Sequence, residues 1–141
     1  MNTKKMVWCC AAVALLMLSG CKPVYEKLIQ GDWVVDRYYK NGSDQTAIWV
    51  ALKYQITFHS DGAFTETTEI FGVTIPVTGT WLIEKKPDGK IGEFQLQLTD
   101  DVNVLRTFDI KKISKDTIDI YRDLGESDNE EFFLEPVPEA G

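Results

Sequence analysis

The chain has few residues of the types that carry out covalent chemistry. Its 141 residues include one histidine and three cysteines, and two of these cysteines, Cys9 and Cys10, lie in an apolar run near the N-terminus. The sequence has no glycine-rich phosphate loop and no nucleophile elbow. His59 falls beside a predicted turn on a polar face, where a solvated side chain is expected. These absences argue against an enzyme, and we expect no catalytic residue, no cofactor and no metal site.

Positive charge is also scarce. The chain has 15 Lys and Arg against 22 Asp and Glu, which gives a formal net charge of −7. A nucleic-acid partner requires clustered Lys and Arg to release counterions from phosphate, so we do not expect such a partner. The same deficit argues against docking of the domain on anionic lipid.

An apolar run long enough to span a bilayer is missing. Lys4 and Lys5 precede an apolar run from Met6 to Leu18. This run has about a dozen residues, whereas a spanning helix needs about 20. The pattern therefore predicts an export signal over residues 1–20 that is cleaved from the mature chain.

The end of this run, Leu18-Ser19-Gly20-Cys21, resembles the bacterial lipobox. The resemblance implies that Cys21 becomes the first mature residue and carries the lipid anchor; the alternative is an ordinary secretory signal with an incidental cysteine. Each buried acyl methylene contributes about 0.8 kcal/mol, so two or three chains anchor the protein stably. Lys22 follows the cysteine and residues 22–26 match the acidic surface-export signal poorly. We expect the outer membrane, with the domain facing the periplasm.

Cleavage would leave a domain of ordinary size whose net charge is −9, because two lysines leave with the signal. Cys21 would then be its one cysteine, so packing rather than an intramolecular disulfide must stabilise the fold. Residues 22–27, which link the lipidated cysteine to the domain, reach at most about 20 Å when extended. The expected organisation is a signal peptide over 1–20, a lipidated tether over 21–27, a folded domain over 28–135 and a disordered tail over 136–141.

From Trp33 onward the dominant sequence period is two. Short runs rich in β-branched and aromatic residues are separated by Gly, Asp, Asn and Pro, which is typical of an all-β sandwich or barrel. Ser60-Asp61-Gly62 predicts a tight hairpin. We therefore predict an up-and-down antiparallel β-barrel of about eight strands. The predicted strands are 32–39, 54–59, 63–70, 72–76, 79–85, 93–99, 104–111, 117–122 and 131–135.

Two segments depart from this pattern. Asp44–Lys53 fits neither period; a short helix is weakly favoured by Ser43 or Asp44 as N-cap, whereas its β-branched and aromatic residues favour a buried strand. Asp123–Glu131 is acidic and is predicted to be a solvated loop between the last two strands. Its acidic residues do not follow the order of a calcium-binding loop.

Alternation along the strands predicts an apolar inner face and a polar outer face. In a barrel of about eight strands the inner side chains either fill the interior or leave room for one small ligand, and the sequence leaves both open. The expected inner face is Trp33, Val35, Tyr54, Ile56, Phe58, Phe64, Trp81, Ile83, Phe94, Leu96, Leu98, Phe108, Ile110, Ile118 and Ile120. The expected outer face is Asp32, Asp36, Gln55, Thr57, His59, Thr65, Thr80, Glu84, Gln95, Gln97, Thr107, Asp109 and Asp119. The candidate ligand-lining residues are Tyr54, Phe58, Phe64, Phe94, Leu96 and Phe108.

Three motifs carry a resemblance to a known family: Leu28-x-x-Gly31-Asp32-Trp33, the hairpin Ile56–Phe64, and Gly79-Thr80-Trp81. Together they resemble the lipocalin-like lipoproteins of Bacteroidetes, over about Leu28 to Leu134. The resemblance implies a barrel that binds small apolar molecules. It also implies that Trp33 closes one end of the barrel and that a basic residue of a late strand, for which Arg122 is the candidate, covers it. The chain departs from animal lipocalins in having no Thr-Asp-Tyr turn motif and no disulfide.

The sequence thus favours a membrane-anchored, non-enzymatic lipoprotein whose barrel binds a small apolar ligand. The alternative is an interaction module of the cell envelope, in which the barrel core is filled and an exposed aromatic patch binds another protein. The aromatic residues to consider for such a patch are Tyr38, Tyr39, Trp49 and Phe133.

Overall fold

The computed structural model describes residues 21–91 and 93–138. The predicted signal peptide and the last three residues of the predicted tail lie outside the described residues. In the described part of the chain the two helices are α1 (Cys21–Ile29) and α2 (Thr46–Ala51). The strands are β1 (Gly31–Lys40), β2 (Ser43–Asp44), β3 (Gln55–Phe58), β4 (Ala63–Ile70), β5 (Val73–Lys85), β6 (Phe94–Asp100), β7 (Leu105–Ile113), β8 (Ile118–Gly125) and β9 (Asp128–Pro136). Neither helix is long and apolar enough to cross a membrane.

The strands form one closed antiparallel sheet. From β3 to β9 each strand pairs with the next along the chain, and β1 pairs with both β3 and β9. Trp33, for example, lies opposite Ile56 on one side and Pro136 on the other. The short β2 pairs with the end of β1 and takes no part in closure. The prediction of an up-and-down barrel of about eight strands is confirmed.

The predicted strands 72–76 and 79–85 are one strand, β5. The predicted break at Gly79 is wrong because this glycine serves close packing inside a strand. A Cβ atom at Gly79 would clash with the carbonyl oxygen of Thr99 and would lie 2.7 Å from a ring carbon of Phe64. Glycine in a strand interior often marks such a close approach.

The acidic segment Asp123–Glu131 is a tight hairpin rather than a loop. Gly125 pairs with Asp128, and two residues, Glu126 and Ser127, make the turn between β8 and β9. Both have positive φ, 51° and 65°, as a type I′ turn requires. The prediction failed because residues other than Gly, Asn and Asp seldom adopt this conformation.

Two segments that precede β3 are helical: residues 44–53 in part, and the predicted tether. Asp44–Lys53 contains α2, as weakly favoured, but its N-cap is Gln45 rather than Ser43 or Asp44. The Asp44 carboxylate accepts a hydrogen bond from the Thr46 amide at 3.0 Å. The predicted tether is part of α1, which at about 1.5 Å per residue spans less than an extended segment would. Ile29 at its end is fully buried, and Tyr25 packs edge-on against Phe94, with ring centroids 5.6 Å apart.

The interior follows most of the predicted alternation, and the departure that matters for the site is at a bulge in β1. The register of β1 against β9 shifts between Val35 and Arg37, which turns Tyr38 into the core. Tyr38 was one of four aromatic residues to consider for an exposed patch, and its burial removes it from that set; the bulge reverses the parity of the residues that follow it. Gln95 is also buried, against prediction. The buried apolar core is Ile29, Trp33, Val35, Tyr38, Ile56, Phe58, Phe64, Trp81, Ile83, Leu96, Leu98, Phe108, Ile113, Ile118, Ile120, Phe132 and Leu134.

The antiparallel order gives the barrel two distinct ends. The closed end carries α1 and the β3–β4, β5–β6 and β7–β8 connections. The open end carries α2 and the β4–β5, β6–β7 and β8–β9 turns. Cys21 is the first residue of α1, so the first described residue belongs to the helix at the closed end.

Candidate functional site

Trp49 on α2 lies over the interior at the open end. Its ring meets three rings of the wall edge-on: Tyr54 at 5.0 Å, Phe132 at 5.2 Å and Tyr38 at 5.3 Å between centroids. None of the residues of α2 is fully buried, so the helix adds little else to the core. We call α2 with its Trp49 the cover. Trp49 was one of the residues to consider for an exposed aromatic patch, and it packs against the core instead.

Beneath the cover lies an enclosed space of about 30 Å³. This is about the share of liquid volume that one water molecule takes, so the interior is filled with side chains in this conformation. Twelve residues line the space: Trp49, Tyr54, Ile56, Phe58, Glu66, Leu96, Leu98, Arg106, Phe108, Ile120, Phe132 and Leu134.

Two clefts flank the cover on its outer side. One has a volume of about 260 Å³ and is bounded by Glu66, Ile75, Val77 and Arg106 among others. The other has a volume of about 340 Å³ and is bounded by Val34, Val50 and Lys53 among others. Trp49 and Tyr54 contribute to both clefts and to the enclosed space. The indole of Trp49 therefore forms a partition between the interior and the open end.

A buried polar group forms one wall near the cover. The Tyr54 hydroxyl donates to Glu66 Oε2 at 2.6 Å, and Arg106 binds both oxygens of the same carboxylate, with Nη1 at 3.2 Å from Oε2. Burial, followed by the charge of Glu66, raises the pKa of Tyr54 well above its ordinary value. The tyrosine therefore stays neutral, and the ion pair leaves this wall without net charge.

A second group of the same composition lies across the opening. The Tyr38 hydroxyl donates to Glu130 Oε2 at 2.8 Å, and Arg122 Nε donates to Glu130 Oε1 at 2.7 Å. Burial and the bond to Glu130 raise the pKa of Tyr38. The guanidinium of Arg122 also lies over the ring of Phe108, 5.0 Å from its centroid.

Arg122 does not cover Trp33, so this expectation is corrected. In the strand register Arg122 pairs with Glu130, which pairs with Lys40 at the open end of β1, whereas Trp33 lies near the start of that strand. Trp33 is buried near the closed end, and its Nε1 donates to the carbonyl of Ile29 in α1 at 2.7 Å. A helix, rather than a basic side chain, packs over this tryptophan.

Four of the six predicted lining residues, Tyr54, Phe58, Leu96 and Phe108, line the enclosed space. The other two lie elsewhere in the core. Phe64 is fully buried against Gly79, and Phe94 lies under Tyr25 of α1, toward the closed end.

The sequence argument missed the polar residues of the interior. Glu66 lies two residues after Phe64, and Arg106 lies two residues before Phe108, so the period of two already places both on the inner face. Their charge kept them out of the predicted lining. A buried carboxylate is tolerated here because Arg106 and Tyr54 satisfy its oxygens.

Two kinds of residue considered for chemistry in the sequence are His59 and the acidic residues of 123–131, of which only Glu130 belongs to this site. His59 is exposed, and its Nε2 is 3.1 Å from Thr65 Oγ1. Of the acidic residues weighed for calcium, Glu130 points into the barrel, whereas Glu131 pairs with Lys111 at 3.3 Å. The Cys21 side chain lies outside what the structure describes.

The outer wall carries an aromatic and acidic surface. Tyr39 packs edge-on against Phe133 at 6.1 Å, and the Arg37 guanidinium lies 4.3 Å from the centroid of the Phe133 ring. Beside them, partial burial and the neighbouring Glu131 raise the pKa of Asp119 to about 7. Asp119 Oδ1 is buried without a hydrogen-bond partner in the described part of the chain.

Exposed apolar residues concentrate at the open end. The tip of the β4–β5 hairpin is Phe71-Gly72, and Phe71 is fully exposed. Other exposed apolar residues at this end are Ile48, Val50, Ile70, Val73, Ile75, Val77, Val102, Val104 and Leu105. The β6–β7 turn next to them adds acidic side chains, Asp100 and Asp101.

No model of a protein family matches the sequence, and no curated protein matches it. The class that the structure itself defines is a closed, antiparallel, up-and-down β-barrel with a covered open end.

Proposed function

We propose that the protein is a non-enzymatic binding protein of the bacterial cell envelope, lipocalin-like in design, that takes a small apolar ligand into the open end of its barrel. A diacylglycerol on Cys21 would anchor it to the outer membrane, with the barrel in the periplasm. The barrel fold is compatible with this function. The lipobox-like tetrad and the three lipocalin-like motifs support the anchor and the kind of ligand.

The observation that carries the proposal is the position of Trp49. Its ring separates a small apolar interior from two clefts of about 260 and 340 Å³. Movement of this side chain would join these volumes into a space of the size that small-molecule sites have, about 300–1,000 Å³. Apolar lining with a few polar groups at the mouth is also typical of such sites.

The test is native mass spectrometry, with organic extraction, of the protein purified from its own envelope. A stoichiometric small molecule is expected on the native chain. Leu96→Trp, which fills the interior beneath the cover, should remove that molecule. Leu82→Trp is the matched control, because Leu82 lies on the outer face of β5 and is 43% exposed.

Loss of the molecule in Leu96→Trp and retention in Leu82→Trp would place it inside the barrel. Retention in both folded variants would show that the interior is not the site. A native chain free of any extracted molecule would contradict the proposal. Circular dichroism checks that each variant is folded, since overpacking a core costs about 1–3 kcal/mol.

The anchor has its own test. The mass of the N-terminal peptide from the native host should show an acylated Cys21, and Cys21→Ser should release the protein from the membrane fraction. An unmodified cysteine would restrict the proposal to a secreted binding protein.

A second function, an interaction module with a filled barrel, is favoured by the apolar open end. The fully exposed Phe71 and its apolar neighbours lie beside Asp100 and Asp101, so the matching partner is an envelope protein with an apolar groove and a basic rim. Phe71→Ser should weaken the binding of such a partner, whereas Ile91→Ser, at an exposed position in the β5–β6 connection, should not. Equal binding by both variants would rule out the hairpin tip.

A further inference from the structure

The three tryptophans of the described chain are held in different ways. Trp33 Nε1 donates to Ile29 O at 2.7 Å, and Trp81 Nε1 donates to His59 O at 3.0 Å. Within residues 21–91 and 93–138, no acceptor receives a hydrogen bond from the indole N–H of Trp49. Packing against neighbouring side chains therefore holds this side chain in place. Moving the ring out of its position breaks no hydrogen bond of the indole.

The walls around Trp49 are shaped for a flat ring. Tyr38, Tyr54 and Phe132 meet the indole at interplanar angles of 71°, 82° and 73°, with centroids 5.0–5.3 Å away. In such edge-to-face pairs the positive edge of one ring meets the negative face of the other. A puckered ring or an alkyl chain of the same area lacks this electrostatic match.

The charge of the walls favours an uncharged occupant. Each tyrosine hydroxyl is engaged by a glutamate, and each glutamate is neutralised by an arginine, in the two groups described above. A charged ligand would have to compete with these buried ion pairs. The enclosed space of about 30 Å³ beneath the indole leaves room for one small substituent.

Backbone hydrogen bonds attach the cover to the barrel on either side of α2. The amide of Gln45 donates to Tyr38 O at 2.9 Å, and the amide of Glu69 donates to Leu52 O at 2.7 Å. Between these ties α2 contributes no fully buried side chain. Rotation of Trp49 into a flanking cleft therefore leaves the attachments of α2 in place.

We propose that the indole of Trp49 occupies the position of the ligand, and that the ligand is an uncharged, planar aromatic or heteroaromatic molecule about as large as indole. The inference rests on the proposed ligand-binding function and narrows its chemical class. Trp49 thus competes with the ligand for the same three rings.

The test compares three probes: 2-naphthol, decahydro-2-naphthol and 1-octanol. The first two share one fused carbon skeleton and differ in flatness, and the third is a linear chain. Binding is measured by calorimetry on the mature chain in phosphatidylcholine nanodiscs, with empty nanodiscs subtracted. Native protein, Trp49→Ala and Trp49→Leu are compared, and Trp81→Phe is the control at a tryptophan outside the site.

We expect Trp49→Ala to bind 2-naphthol about tenfold more tightly than either other probe, and more tightly than the native protein does. In the native protein 2-naphthol should bind and shift the indole N–H resonance of Trp49 in a ¹⁵N-edited NMR spectrum, in which that signal is assigned by its absence from Trp49→Leu. Trp49→Leu, which keeps apolar contact without the flat ring, serves in place of Trp49→Ala if the latter is unfolded.

Equal or tighter binding of decahydro-2-naphthol or 1-octanol would overturn the aromatic class and leave the proposed binding function standing. No binding of any probe by native protein and folded variants would overturn the inference; whether the proposed function also fails is decided separately by the envelope-extract experiment. Binding of 2-naphthol that leaves the indole N–H resonance of Trp49 unchanged would show that the ligand does not take the place of the indole.

Discussion

The two ends of the barrel are closed by tryptophans in different ways. At the closed end Trp33 is 3% exposed, its indole is hydrogen-bonded to α1, and Ile29 of that helix is fully buried. At the open end Trp49 is only partly buried, and its helix contributes no fully buried residue. The comparison teaches that the same residue type forms part of the core when its N–H is satisfied and its helix is packed, and lies as a partly exposed cover over the opening when neither holds.

The largest expected effect tests this difference directly. Trp33→Ala should lower the free energy of unfolding by about 4 kcal/mol, because it leaves a large cavity and an unpaired carbonyl. Trp49→Ala should lower it by about 1–2 kcal/mol, because solvent already reaches the site. Urea unfolding of both variants measures the difference. Equal losses would show that the cover is part of the core.

A smaller effect is expected from the polar groups at the open end. Glu66→Gln should cost about 2 kcal/mol, because it leaves the charge of Arg106 half-buried without its partner. The double variant Glu66→Leu with Arg106→Leu should recover most of this loss, since both charges are gone. The same unfolding measurement applies. A double variant as unstable as the sum of its single changes would show that the two residues act independently.

The smallest expected effect concerns Asp119, which lies on the outer wall and not at either end of the barrel. The folded protein keeps a proton on Asp119 up to about pH 7, whereas the unfolded chain loses it near the ordinary pKa of about 3.9. The stability from this raised pKa is therefore present below pH 4 and is lost as the pH rises toward 7. Because the side chain is partly exposed, we expect a loss of about 1 kcal/mol.

Asp119→Asn should flatten this pH dependence, and the Trp33 and Trp49 variants should retain it. Urea midpoints between pH 4 and pH 8 provide the measurement. A slope that survives in Asp119→Asn would have to come from another titrating group.

The sequence predicted the barrel well because alternation and turn residues are local signals. Apart from the unusual residues of the β8–β9 turn, its failures lie where a contact between distant parts of the chain decides the outcome. The bulge after Val35, which turns Tyr38 inward, depends on pairing with β9, and Gly79 is explained by the approach of Thr99 from the neighbouring strand. Both features involve residues far apart along the chain.

The site was predicted less completely than the fold. The alternation of inner and outer residues along each strand predicts its apolar lining. The same alternation places Glu66 and Arg106 inside, although their charge argued against burial. That Trp49 turns back over the interior could not be predicted, because it depends on where α2 docks and on three rings from β1, β9 and the start of β3.

The pairing of the first long strand with the last has a consequence for the order of folding. Val35 lies opposite Leu134, so β1 finds its second neighbour only after β3 to β8 have been made. Until then β1 presents an unpaired edge, which is the kind of surface that draws chains into aggregates. We therefore expect a chain that lacks β9 to be prone to aggregation and proteolysis, because β9 is the strand that completes the closed sheet.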